Sequence, residues 1–363
     1  MLVEKVVDIF ETRKEERMFH VLKSFGVSCD AISLEEKEYF DIYDIRLSRG
    51  VKYSKLEKLL IDIGLSISAH CTPKGSAIMQ NGVYRIEVQT KEISSPIFSD
   101  AYKNLDYESY MPISLGTTIS GEYLKKDLNT LPNLLIAGIP GSGKSMLLHS
   151  IILSLMLKDS EIYLADPKMV EFGMYEGMKS IHSVENSIEG IVERIEKIRE
   201  KMESRFLVLK KSGCRNIHEF NKANPKKYMK PIVLIIDEWA DIYLQDKKIE
   251  RPLCFIAQKG RAAGVSIVLA TQRPSSKVIS GLIKANFSGR IALKTTSAID
   301  SRVILDRSGA EKILDIGTGI YIDHTTASPI MFRSPYIDSI PLEIERCGYN
   351  NSYSRPFWKK FWA

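Results

Sequence analysis

Cysteine is scarce and scattered. Cys29, Cys71, Cys214, Cys254 and Cys347 are odd in number, far apart and without a C-x-x-C pair, which argues against a disulfide framework and suits reduced thiols in the cytoplasm. Long apolar runs are missing too. The longest stretch, residues 147–157, is broken by His149, Ser150 and Ser154 and falls short of the about 20 residues that cross a bilayer. The first ten residues carry acids among their apolar positions and no cleavage signal, so export is not expected. Neither an internal repeat nor a low-complexity tract occurs. A chain of 363 residues then buries one large core, or one core with a smaller domain. Strong charge of one sign is also absent. The formal +6 is unevenly placed, because residues 1–110 hold 15 Lys and Arg against 18 Asp and Glu, and the rest 36 against 27. The later surplus suits a polyanionic partner, and a scattered surface excess of lysine gives the same counts.

Against this background one stretch stands out, Gly138-Ile139-Pro140-Gly141-Ser142-Gly143-Lys144-Ser145, followed by Met146. It reads G-x-x-x-x-G-K-S between an apolar run at 134–137 and a helical run at 146–157, the strand-loop-helix setting of a phosphate-binding loop. Three glycines let successive backbone N–H groups point at phosphate oxygens, and the positive end of the next helix favours the same anion. Lys144 then reaches the β- and γ-phosphates of a nucleotide, and the Ser145 hydroxyl is a ligand for Mg²⁺.

Apolar periodicity organises the chain around that loop. Helical spacing marks residues 3–25 and 54–63, strand-like alternation marks 38–48, and Asn81-Gly82 within 77–90 signals a hairpin. These make a small, acidic α+β domain whose histidines, His20 and His70, stand alone. Residues 91–106 mix Ser, Pro, Lys and Asp as a linker does. Beyond lie buried-strand runs at 133–137, 161–165, 232–236, 265–271, 290–294 and 319–322, alternating with helical patterns, including a long charged one at 183–209. Continuous apolar strands separated by helices imply a mostly parallel sheet covered on both faces. The expected domains are 1–106 (small α+β domain with linker), 107–333 (the large domain that carries the phosphate loop) and 334–363 (tail). The tail's basic aromatic end, residues 355–362, reads either as a docking or membrane-surface peptide or as a frayed terminus.

The run Ile232-Val233-Leu234-Ile235-Ile236-Asp237-Glu238 ends in two acids. Asp237 is placed to hold the Mg²⁺ shell and Glu238 to orient and deprotonate an attacking water, on the expectation that adjacent strand residues point to opposite sides. Gln272, after the strand at 265–271, is the candidate sensor of the γ-phosphate. Arg261 lies at a helix end, where it is either a surface residue or an arginine finger reaching a neighbouring subunit.

The strings GTTISGE, PNLLIAGIPGSGKS, ADPKMVEF, IVLIIDEWAD, QKGRAAG, VLATQRPS, GLIKAN and IDSRVILD follow one another over residues 111–325. Together they resemble the motor domain of the FtsK/SpoIIIE family of DNA translocases, and SRGVKYSKLEKLLIDIGLSIS resembles the small domain that precedes it there. The resemblance implies an α/β fold with a RecA-like P-loop NTPase core, assembled as a ring, expected to be a hexamer, that hydrolyses ATP between subunits and threads double-stranded DNA. It assigns nucleotide roles to Lys144, Ser145, Asp237 and Glu238, a trans-acting role to Arg261, and places on the DNA channel Arg273, Lys284 and Arg302. Where relatives often read S-S-K-I-D-S-R, this chain has Ala298 in Ser297-Ala298-Ile299-Asp300-Ser301-Arg302, one basic residue fewer. The membrane-spanning region and the winged-helix domain of the septal translocases are not expected here. A conjugative coupling protein, docking a relaxase-DNA complex to a membrane channel, is the alternative, followed by an ATPase of a secretion machine. The expected location is cytoplasmic, with a membrane partner in the coupling case.

Overall fold

The computed structural model describes residues 13–36, 40–69, 73–78, 82–90, 95–106, 108–326 and 328–337. Contacts divide the chain into two units, Met1–Ser94 with Ile119–Gly121, and Ser95–Thr118 with Glu122–Ala363. The expected helical start before residue 13, Asn81, and the tail beyond 337 lie outside the described residues.

The first unit comprises α1 (Lys14–Ser24), β1 (Cys29–Glu36), β2 (Phe40–Leu47), α2 (Tyr53–Ser66), β3 (Lys74–Ile78) and β4 (Val83–Gln89). Its strands form an antiparallel sheet in the order β1-β2-β4-β3. Alternation along β4 buries Tyr84, Ile86 and Val88, which pack with Met18 and Leu22 of α1 and Leu56 and Ile63 of α2. The expected hairpin is the β3-β4 pair. The strand β1, with five of its eight residues exposed, lacks the apolar alternation that reveals a strand.

The second unit begins inside the expected linker. The helix α3 (Phe98–Lys103) buries Phe98, Ala101 and Tyr102, an i, i+3, i+4 stripe hidden among polar residues. After it come β5 (Pro112–Thr118), β6 (Tyr123–Asp127), β7 (Asn133–Ala137), α4 (Lys144–Met156), β8 (Glu161–Ala165), β9 (Ile181–Glu185), α5 (Ile188–Ser212), α6 (Ile217–Ala223), β10 (Ile232–Ile236), α7 (Trp239–Gln245), α8 (Glu250–Lys259), β11 (Val265–Thr271), α9 (Gly281–Asn286), β12 (Gly289–Leu293), α10 (Ala298–Leu305), β13 (Thr318–Ile322) and β14 (Ile330–Arg333).

One ten-stranded sheet joins them in the order β6-β5-β14-β13-β12-β7-β11-β10-β8-β9. From β12 to β9 every pairing is parallel, and from β6 to β12 every pairing is antiparallel. Strand alternation sends Leu134, Ile136, Val233 and Ile235 into a core shared with α4, and Leu135, Leu234 and Ile236 into a second core shared with α5 and α8. A fully buried Leu or Ile contributes about 1.5–3 kcal/mol, so this two-faced burial accounts for the unbroken apolar strands.

The helix expected from residue 183 starts later. Residues 181–185 pair in parallel with β8 as β9, and the Ser187 side chain, accepting from Gly190 N at 3.1 Å, caps α5. Among the described residues no helix is long and apolar enough to cross a membrane.

Candidate nucleotide site

The central strand β7 delivers the phosphate-loop sequence between β12 and β11. Gly141 and Gly143 take positive φ values of 75° and 97°, a conformation that side chains rarely adopt. A Cβ on Gly143 would also meet the Gly317 backbone at 2.8 Å. Three hydrogen bonds moor the loop: Gly138 N donates to Thr271 O at 3.3 Å, Ile139 N to Lys294 O at 2.9 Å, and Gly317 N to Ser142 O at 2.9 Å. Lys144 then opens α4, a thirteen-residue helix whose amide end faces the loop.

Lys144 and Asp237 are buried, and the Lys144 ammonium contacts Asp237 Oδ1. Burial pushes the Asp237 carboxyl above its ordinary range, with Lys144 pulling the other way. Glu238 does not continue the strand, which ends at Ile236. It sits at φ 58° as the residue before α7, so a left-handed turn, rather than strand alternation, separates the two carboxylates. Such a φ is uncommon outside glycine. It is held by the burial of the next residue, Trp239, whose Nε1 donates to Val278 O at 3.1 Å.

Glu238 is 1% exposed, and donors surround it. Its Oε1 accepts from the Thr271 hydroxyl at 2.8 Å and from Gln272 N at 3.1 Å, and its Oε2 from Gln272 N at 3.2 Å and Lys168 Nζ at 3.4 Å. What reaches Glu238 from Gln272 is therefore its backbone N–H. Lys168 also pairs with Asp241 at 3.4 Å. Against the cost of burial, Glu238 and Asp241 hold its ammonium above the ordinary range.

Lys168 and Glu171 come from the loop after β8. Asp166 folds that loop back by accepting from Lys168 N at 3.2 Å, Glu171 N at 2.8 Å and Phe172 N at 2.9 Å. Glu171 then accepts from the Ser145 hydroxyl at 2.7 Å and lies 3.6 Å from His149 Nε2. The His149 contact, opposed by burial and aided by Ser145, keeps its carboxyl below the ordinary range. His149 Nδ1 is 2.7 Å from the Tyr175 hydroxyl. Periodicity reveals none of these residues. Their signal is a cluster of charges in ADPKMVEF just past a buried strand.

Of the remaining candidates, Arg273 meets this cluster through its backbone, its N–H donating to the Thr271 hydroxyl at 3.1 Å, while Arg261, Lys284 and Arg302 lie apart from it. Arg261 is exposed in the turn Gly260–Ala263, its Nε donating to Asn129 O at 3.3 Å. That turn precedes β11, whereas Thr271, at the other end of β11, pairs with Ala137 beside the phosphate loop. Seven strand residues at about 3.3 Å each put roughly 20 Å between them. Arg273 and Arg302 are exposed. Lys284 and Arg290 both pair with Asp306, the residue that follows α10. No contact joins Arg273, Lys284 and Arg302 to one another among the described residues.

A buried lysine, a hydroxyl and a buried carboxylate around an amide-lined loop fit a nucleotide phosphate with a divalent cation. The FtsK/SpoIIIE family pattern matches residues 98–276, and the DNA translocase FtsK of Caldanaerobacter subterraneus subsp. tengcongensis is 32% identical over 340 residues, 91% of this chain. The chain belongs to the FtsK/SpoIIIE family. It spans 48% of the length of that relative, and 44% of the DNA translocase FtsK of Bacillus cereus, to which it is 33% identical over 93% of its own length. In fold, this family member is similar to the pCW3 conjugation coupling protein TcpA, solved as a monomer with ATPγS, at a TM-score of 0.67 and 24% identity, covering 92% of this chain and 98% of that one.

Proposed function

We propose that this chain is an ATP-driven motor on double-stranded DNA, working in the cytoplasm as a hexameric ring with one nucleotide site per subunit boundary. The observation that carries the reading is the set Lys144, Ser145, Asp237 and Glu238 at the carboxyl ends of β7 and β10, two parallel strands with β11 between them. Lys144 and the loop amides would hold the β- and γ-phosphates. Ser145 and Asp237 would hold Mg²⁺, which supplies charge neutralisation as the phosphoryl group is transferred; its preference for one or two protein oxygens with phosphate and water suits a site with few carboxylates. Glu238 would orient and deprotonate water. Arg261, roughly a strand's length from this set in its own chain, would complete the site of a neighbour.

The DNA reading is supported by the family and by the basic surplus after residue 110. Its test is the ATPase rate without DNA, with single-stranded DNA and with long duplex. Stimulation chiefly by the last is expected, and equal rates in all three would overturn it. A soluble preparation that is stimulated only with a relaxase or channel protein present would favour the coupling role instead.

Exposed Arg273 and Arg302 are expected to contact duplex phosphates. Each alanine substitution should lower the salt slope of binding by about 0.9, with no change in sequence preference. Lys284→Ala should cost less, because Asp306 already holds its ammonium in the free protein. Ala298→Lys restores a basic residue at the start of α10 and should strengthen binding. A salt titration of all four in parallel checks this. Slopes indistinguishable from wild type would make the surplus an ordinary solvated surface.

A further inference from the structure

Thr271 is fully buried and touches three parts of the motor unit. Its carbonyl accepts from Gly138 N, the first amide of the phosphate loop. Its hydroxyl donates to Glu238 Oε1 at 2.8 Å and accepts from the backbone N–H of Arg273 at 3.1 Å. A hydroxyl has a single proton to donate, so this one is committed to Glu238 while Arg273 fixes the direction in which it points.

A general base must turn a free lone pair toward the water it deprotonates. With Thr271 and Gln272 on Oε1, Gln272 and Lys168 on Oε2, and 1% exposure, Glu238 has its oxygens turned to protein donors instead. We propose that Thr271 is a positioning residue for Glu238: its hydroxyl holds the base in a restrained orientation, and displacement of the Arg273 backbone releases it. This rests on the proposed function, in which Glu238 is the base and Arg273 grips duplex. A phosphate that draws residue 273 outward removes the N–H that orients the Thr271 hydroxyl. The restraint on Glu238 then weakens. Coupling of DNA to hydrolysis thus needs no movement of the phosphate loop.

The test compares Thr271→Val, which keeps the shape and removes the hydroxyl, with Thr271→Ser, which keeps the hydroxyl. ATPase rates with and without long duplex are measured for both and for wild type, beside the affinity for a fluorescent ATP analogue. The DNA-free rate of T271V is expected to rise at least about threefold and its stimulation by duplex to fall toward one, with T271S keeping a stimulation ratio within about twofold of wild type. A merely structural role lowers both rates in proportion and weakens analogue binding. That outcome, or a T271V protein with the wild-type DNA-free rate and ratio, overturns the proposal. Should T271V not fold, Thr271→Ala, which leaves a small space in place of a methyl group, is read by the same two rates. Glu238→Gln in the same assay separates the layers. If it hydrolyses at the wild-type rate, the reading of Glu238 as base fails; if it is inert and T271V keeps wild-type rates, the restraint alone fails. Wild type that ignores duplex removes the DNA reading, and the DNA-free rate of T271V still decides the restraint.

Discussion

Mixing Arg261→Ala subunits with Glu238→Gln subunits, each nearly inert alone, is expected to restore ATP turnover. The expectation follows from where the strands run. In one chain Arg261 stands at the amino end of β11 and the Lys144, Asp237 and Glu238 set gathers at its carboxyl end, with the length of the strand between them, so no side-chain rotation brings the guanidinium to its own phosphate loop. An arginine that stabilises transition-state charge from a neighbour is worth on the order of 10³ to 10⁵ in rate. At a mixed boundary, the E238Q subunit supplies an intact Arg261 to an R261A subunit with an intact Glu238. A fraction of boundaries is therefore complete. The measurement is phosphate release as a function of mixing ratio, beside sedimentation to report assembly. Full activity of R261A alone would end the proposal, as would a mixture no faster than the mean of its parts.

The second large effect separates binding from chemistry. Lys144→Ala is expected to abolish ATP binding or turnover, whereas Glu238→Gln retains binding and loses about 10² to 10⁴ in rate, the range of a positioned general base. The two should also differ in stability. Lys144 is the cation that Asp237 contacts in a site where both are 3% exposed or less. Removing one partner of a buried pair commonly costs about 3–5 kcal/mol. Here part of that cost is avoided by protonation of Asp237, whose carboxyl burial has already raised. A lower melting temperature for K144A is expected, and Lys144→Met should show it equally. Glu238→Gln keeps an acceptor oxygen for Thr271 and leaves Lys168 its partner Asp241, so its melting temperature should stay closer to wild type. Analogue affinity, single-turnover phosphate release and thermal unfolding on the three proteins provide the check. An E238Q protein hydrolysing at the wild-type rate would remove Glu238 from the mechanism.

How much of the fold and the site was legible in the chain depends on how local the chemistry is. The phosphate loop was readable because its work is done by consecutive residues, so glycine, lysine and serine at fixed offsets specify both a backbone shape and the charge it presents. The parallel strands were readable because burial on two faces makes them apolar throughout. Strand β1 and helix α3 were not, since one exposes most of its residues and the other hides three buried side chains in a polar stretch. Nor was β9, whose pairing with β8 outweighs its closeness to a long charged helix.

At the site itself, sequence determined which residues are candidates for phosphate and acid chemistry, and that a sheet end presents them. Tertiary structure decided how the acids are used. A positive φ at Glu238 turns it away from Asp237, and the strand order β7-β11-β10-β8 brings four strand ends to one place. The end of β11 and the loop after β8 carry Thr271, Lys168 and Glu171 to Glu238 and Ser145, across separations of 33, 70 and 26 residues. No local spacing encodes such contacts, because neighbours in a parallel sheet are set by crossovers and by packing on both faces rather than by adjacency in the chain.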